Sequence, residues 1–187
     1  HTRRRRQRQM CIRDSIKGVG NAIPLNFEIK IPSAQIKSSI ILSSLNTNGL
    51  VKIKEFRSTR DHTENMLKSM GYNIKVKHDE NYRYIELKND RLLKPIKYQV
   101  PGDPSSAAFL ITGACLLPGS KLLVKNILFN KTRIGFIETL KSMGGNIKVI
   151  KKKKLNNETV ADIFIDQKRN LKSVLVKSSK IPLQIDE

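Results

Sequence analysis

A chain of 187 residues is long enough for one large domain or two small ones with genuine cores, and 39% hydrophobic with 28% charged residues excludes an intrinsically disordered protein. No apolar run approaches the roughly 18 residues of a membrane span, and two cysteines, Cys11 and Cys115, give neither a disulfide framework nor a metal spacing. The net charge of +20 suits any partner that carries phosphate, small metabolite or polymer, and does not choose between them.

The first residues, HTRRRRQRQMCIRDS, hold six arginines and one aspartate and have no helical or strand periodicity. Three origins are open for this head: a nucleic-acid arm, a targeting peptide or non-native sequence. A transit peptide is longer and amphipathic, so residues 1–15 are expected to be a non-native or disordered basic head. From there the elements follow in order. An extended stretch reaches Ile31-Pro32, and Ser33 then opens an apolar helix over Ala34–Leu45. A turn at Asn48-Gly49 leads to a strand, Val51–Ile53. Asp61 with Glu64 predicts a capping box for a second helix, with Met66, Leu67 and Met70 on its apolar face and Gly71 at its end. Strands are expected at Ile74–Lys77 and Arg83–Leu87.

The same series then recurs. Val100-Pro101 precedes Ser106 and an apolar helix, Ala107–Leu117, in which Cys115 reads as a small buried hydrophobe. Pro118-Gly119 turns into a strand, Leu122–Lys125. A helix carries Phe136, Ile137, Leu140 and Met143 and ends at Gly144, and strands follow at Ile147–Ile150 and Asp162–Ile165. The lysine run within Lys151–Asn157 reads as a solvated loop. Ile181-Pro182 begins what looks like a third copy.

The recurrence holds a single register. Thr59-Arg60 matches Thr132-Arg133, Leu67 to Gly71 matches Leu140 to Gly144, and Asn73 to Val76 matches Asn146 to Val149, all at an offset of 73. Chance does not keep one offset over so many positions, so the chain is built from repeated β-α-β-α-β-β units.

The segments PSAQIKSSIILSSL, RSTRDHTENMLKSMG, VPGDPSSAAFLITGACLLPGS and NKTRIGFIETLKSMGG, followed by KIPLQIDE, resemble in content and order the middle of the EPSP synthase (3-phosphoshikimate 1-carboxyvinyltransferase) family, from about Ile16 to Glu187. The resemblance implies an α/β (α+β) fold of two domains, each made of three such units, with the active site in the cleft between them. This chain would be an incomplete piece of it: residues 16–98 from the first domain, residues 99–187 from the second, and a crossover near Tyr98–Gly102. The implied reaction transfers the enolpyruvyl group of phosphoenolpyruvate to the 5-hydroxyl of shikimate 3-phosphate and releases phosphate.

Two polyanionic substrates call for arginines, lysines and helix N-termini, and the addition needs a base beside the hydroxyl. By the resemblance, Ser33, Ala34 and Gln35 bind shikimate 3-phosphate, with Gln35 also near phosphoenolpyruvate. Arg60 contacts the phosphate of shikimate 3-phosphate. Asp186 binds that substrate and accepts the proton of its 5-hydroxyl. From the residues alone, Ser33 reads as well as an ordinary N-cap, Arg60 as a surface arginine and Asp186 as a terminal acid. Arg133, the repeat partner of Arg60, receives no role, and His62 is given to the helix cap. No cofactor and no metal are expected. The partners are the two small-molecule substrates, with no nucleic acid and no membrane, in a cytoplasmic monomer. The family's other phosphate-gripping lysines and arginines fall outside this chain, which by itself is expected to be inactive.

Two rivals differ in kind. UDP-N-acetylglucosamine enolpyruvyl transferase shares the chemistry, but the Arg-Asp-His-Thr-Glu run belongs to the shikimate branch. A nucleic-acid-binding module would need a basic face interleaved with aromatics, which six Phe and four Tyr do not suggest.

Overall fold

The computed structural model describes residues 18, 20–56, 58–90 and 92–184, so the basic head and Asp186 lie outside the described residues. Strand β1 (Asn26–Ile29) enters helix α1 (Ala34–Ser43), whose last turn tightens into a 3-10 segment, Ser44–Asn46. Strand β2 (Leu50–Phe56), helix α2 (His62–Ser69) and the hairpin β3 (Asn73–His78) and β4 (Tyr82–Lys88) complete the first unit. Its sheet runs β1-β2-β4-β3, with β1 parallel to β2 and the other neighbours antiparallel. Two adjacent parallel strands need a crossover, and α1 is that crossover.

The pleat sorts the side chains. Val51, Ile53 and Glu55 on β2 alternate inward, as do Arg83, Ile85 and Leu87 on β4. Ile29, Ile41, Leu67, Tyr72 and Ile74 join them in one apolar cluster between the sheet and the two helices.

The second unit repeats this plan with helix α3 (Pro104–Leu116), strand β5 (Lys121–Leu128), helix α4 (Gly135–Ser142) and strands β6 (Ile147–Leu155) and β7 (Glu158–Asp166). Its three-stranded sheet is ordered β5-β7-β6. The entering strand shrinks to one parallel bridge, Gly102 to Ile127, fixed by Gly102 N–H donating to Asn126 O at 2.8 Å and Leu128 N–H donating to Gly102 O at 2.9 Å. A Cβ on Gly102 would sit 2.8 Å from Ile127 Cδ1 and 3.3 Å from Asn126 O, so glycine lets the two backbones approach without moving the Ile127 side chain. A separate core of Ala107, Ile111, Cys115, Phe136, Ile137, Leu140, Ile147, Ile163 and Ile165 fills this unit. Cys115 is fully buried in it, as expected, and burial pushes its thiol pKa up.

Four expectations are corrected. Lys151–Asn157 is not a loop: β6 runs on through Leu155, paired with β7, and the reversal is Asn156-Asn157, both at positive φ (49° and 64°). Helix α3 begins one turn before Ala107, capped by Asp103 with Pro104 at its first position, so Ser106 lies inside the first turn. The capping box at α2 is absent, for Asp61 makes no side-chain cap bond and Glu64 is drawn into the interior. The segment around Ile181 is a 3-10 stretch, Ser178–Leu183, packed on the start of α4, where Leu183 lies where a Cβ on Gly135 would have to go. Among the described residues no helix is long and apolar enough to cross a membrane.

Candidate functional site

Ser33 is the N-cap of α1, its hydroxyl accepting from Ile36 N–H at 3.3 Å and donating to Gln35 Oε1 at 3.3 Å. Ser33 and Ala34 are half-buried and Gln35 is exposed. The N–H groups of Ala34 and Gln35 precede any i−4 carbonyl of the helix, so they point with the positive end of its dipole toward the space ahead of it. The ordinary capping role of Ser33 and an anion-holding role coexist in this geometry.

Arg60 is half-buried in the irregular link between β2 and α2. The residue before it is held at three atoms. Thr59 O accepts from Lys37 Nζ at 3.3 Å, Thr59 Oγ1 donates to Glu55 Oε2 at 3.0 Å, and Thr59 N–H donates to Glu55 Oε1 at 3.4 Å. Lys37 sits on α1 one turn after Ser33, whose carbonyl accepts the Lys37 N–H at 3.2 Å. One turn of helix and one buried ammonium thus link Ser33 to Thr59, the residue before Arg60. Helix α2 is pinned to α1 at the same end by Ser38 Oγ and Thr63 Oγ1, 2.8 Å apart.

Behind them lies a group of buried charges that the sequence analysis missed. Lys37 Nζ is 3.3 Å from Glu55 and 3.1 Å from Glu64, and Arg83 reaches the same two carboxylates at 3.1 and 3.3 Å. Lys37 and Glu55 are completely buried, Glu64 nearly so and Arg83 almost so. Two cations and two anions balance, as buried charge must. A signal existed: Glu55 and Arg83 are the charged members of inward-facing, period-two rows and lie directly opposite in the sheet.

The other flank of Arg60 meets the second unit. Asp61 accepts from Asn130 Nδ2 at 2.6 Å, and His62 Nδ1 lies 2.8 Å from Glu158 Oε1. That carboxylate also accepts from Asn65 Nδ2 at 3.2 Å and, through Oε2, from Asn130 Nδ2 at 3.4 Å. His62 thus bridges two units and does not cap its helix. Asp61, His62 and Glu158 offer ligand atoms within 4.8 Å of one another, but the amide N–H groups of Asn65 and Asn130 point at the same carboxylates and oppose a cation there.

The second unit treats the repeat counterparts differently. Arg133 donates to Asp103 Oδ1 at 3.1 Å and to Ser105 Oγ at 2.6 Å, while Asp103 Oδ2 accepts from the N–H and hydroxyl of Ser106 at 2.9 and 2.8 Å. The Ser106 hydroxyl above all, with the Ser106 and Ser105 N–H groups and Arg133, holds the Asp103 carboxyl below its usual pKa. An arginine at the repeat position of Arg60 therefore grips an anion seated on a helix N-terminus. Asp186 lies outside the described residues. Just before it, Gln184 Oε1 accepts from Thr139 Oγ1 at 2.7 Å, which anchors the chain beside the start of α4.

The EPSP synthase (3-phosphoshikimate 1-carboxyvinyltransferase) family model matches residues 6–184. A 3-phosphoshikimate 1-carboxyvinyltransferase of Zymomonas mobilis is 41% identical over 173 residues, 92% of this chain and 38% of that protein. The enzyme of the same name from Chelativorans is 41% identical over 174 residues, again 92% of this chain and 38% of its own length. A solved EPSP synthase from Acinetobacter baumannii superposes with a TM-score of 0.78 at 37% identity, covering 89% of this chain and 36% of that one. The chain thus spans under two fifths of the length of the relatives it matches.

Proposed function

The chain belongs to the EPSP synthase family, and from that premise we propose that the protein containing it transfers the enolpyruvyl group of phosphoenolpyruvate to the 5-hydroxyl of shikimate 3-phosphate. The hydroxyl oxygen bonds to the substituted enol carbon while the methylene takes up a proton. Loss of phosphate and of a proton from the resulting methyl group then restores the double bond. Ser33, Ala34 and Gln35 bind shikimate 3-phosphate at the N-terminus of α1, with Gln35 also facing phosphoenolpyruvate. Arg60 takes the phosphate of shikimate 3-phosphate, and Asp186 accepts the hydroxyl proton. Residues 16–98 and 99–187 belong to different domains that meet near Tyr98–Gly102, a division supported by the separate apolar core on each side. The substrates are small metabolites and the working protein is a cytoplasmic monomer.

The observation that carries this reading is the arrangement around Arg60 and α1. The helix that starts at the Ser33 cap is tied through Lys37 to Thr59, the neighbour of the half-buried Arg60, and dipole, N–H groups and guanidinium are the means by which proteins hold a phosphate monoester. The way Arg133 holds Asp103 in the neighbouring unit supports it, because there the same residue type already clasps an oxyanion.

The test is Arg60→Ala in the full-length protein, followed by phosphate release at varied concentrations of each substrate. Loss of a charge-assisted hydrogen bond predicts a KM for shikimate 3-phosphate raised on the order of 10- to 100-fold, with the KM for phosphoenolpyruvate little changed. An unaltered KM for shikimate 3-phosphate in a folded variant would remove Arg60 from the site.

A further inference from the structure

Residues 58–61 are neither helix nor strand, so the backbone that presents Arg60 is fixed by side-chain contacts and not by a ladder of its own. Thr59 is gripped at three atoms, its carbonyl by Lys37 and its N–H and hydroxyl by Glu55. Both partners are fully buried. Glu55 sits on β2 and Lys37 on α1, so the grip joins the sheet, the helix with the Ser33 cap and the arginine link in one rigid corner.

Stability alone does not account for four buried charges here. A buried ion pair costs so much desolvation that apolar residues of similar volume serve a core equally well or better. An apolar pair would, however, leave Thr59 N–H and C=O without partners beside the site. Besides balancing Glu64 and Arg83, Lys37 and Glu55 supply directed hydrogen bonding to Thr59, which hydrophobes cannot.

We propose that Lys37 and Glu55 are positioning residues: acting through Thr59, they hold Arg60 against the N-terminus of α1 so that guanidinium and helix start close on the same phosphate monoester. The proposal rests on the reading of Arg60 as the phosphate contact. Neither residue touches substrate. Lys37 sets the carbonyl side of Thr59 and Glu55 the N–H and hydroxyl side, which fixes the peptide plane that leads into Arg60.

Two variants of the full-length protein test it, each alone and combined with Arg60→Ala. Thr59→Val keeps the shape and deletes only the hydroxyl bond to Glu55. Lys37→Met with Glu64→Leu deletes one charge of each sign, so the Glu55–Arg83 pair stays balanced while Thr59 O loses its donor. With one hydrogen bond worth roughly 0.5–1.5 kcal/mol, each should raise the KM for shikimate 3-phosphate about 2- to 10-fold. The KM for phosphoenolpyruvate and the Tm of Thr59→Val should stay near the parent values. In the Arg60→Ala background both effects on KM should vanish, since the residue they act through is gone. If Arg60→Ala raises KM but the Thr59 and Lys37 changes add to it in full, or move only Tm, the positioning role is overturned and the phosphate contact stands. If Arg60→Ala itself leaves KM unchanged, the phosphate contact is overturned, and the positioning role with it.

Discussion

Asp103 combines capping and charge pairing in one side chain. Its carboxylate caps α3 through Ser106 and pairs with Arg133, and these contacts lower its pKa in the folded state. A folded pKa below the unfolded value means stabilisation that is fully present above the unfolded pKa, roughly 3.9, and is lost as pH falls through the folded value. The side chain is 49% exposed, so the ion pair with Arg133 is discounted for solvent and the cap dominates. Asp103→Ala is therefore expected to cost about 1 kcal/mol at neutral pH, whereas Asp103→Asn, a good cap without the charge, should cost less. Urea titrations at neutral pH and near pH 2 check this, and the gap between Asp103→Ala and the parent should narrow in acid. At this scale the sequence was legible where a residue follows a local rule, as Ser33 does as an N-cap. Lys37 was not legible, and Glu55 and Arg83 show only as charges in inward-facing rows, because their meaning comes from partners 18 to 28 residues away. The repeat offset gave Arg133 its correspondence to Arg60 but could not foretell that Asp103 would occupy it.

Among the elements, periodicity located every helix and most strands to within a few residues, and it failed where neither face of a strand meets a core. Lys151 to Lys154 are all exposed while pairing with Asp162 through Thr159. With water on both sides the inward-outward alternation that marks a strand has no cause, and the run looks like a loop. Unbroken lysine on such an edge also discourages pairing with another chain. Relative to the β3–β4 hairpin the lysine run is thus an insertion that lengthens the β6–β7 hairpin: β6 and β7 have 9 residues each, against 6 and 7 for β3 and β4. Its tip is closed by Asn156 and Asn157 at φ 49° and 64°, the pair of left-handed residues a two-residue hairpin turn requires. Placing a β-branched residue there forces its Cβ against the backbone, so Asn157→Val should lose on the order of 1–2 kcal/mol. Asn157→Gly should be neutral within a few tenths of a kcal/mol, since glycine adopts that φ freely. Chemical denaturation of the two variants decides the matter; equal losses would mean the Asn157 side chain, not its backbone, closes the turn. The missing capping box at α2 has a similar origin, for Glu64 gains more from Lys37 and Arg83 than a surface cap offers.

For the molecule as a whole, two apolar cores meet through polar groups. Glu158 opens β7 at the tip of the lengthened hairpin, directly after the turn, and is 3% exposed, with His62, Asn65 and Asn130 gathered on its carboxylate. It ties α2 of the first unit to the second unit beside Arg60, so the hairpin insertion reaches the site at second hand. Removing the carboxylate leaves His62 and Asn65 without their partner and Asn130 with Asp61 alone, a loss of about 1–3 kcal/mol. Because each unit keeps its own core, that loss should fall on the junction and not on the sheets. Glu158→Ala is accordingly expected to speed amide exchange within residues 61–65 and 128–132, while the centres of β4 and β7, around Ile85 and Ile163, stay protected. Exchange read by mass spectrometry on the full-length protein separates the cases. Protection lost at Ile85 and Ile163 together with the junction would mean that the two units unfold as one cooperative body. Protection lost at the junction alone would mean that Glu158 fastens two bodies each stable on its own, leaving their contact free to adjust around whatever Arg60 holds.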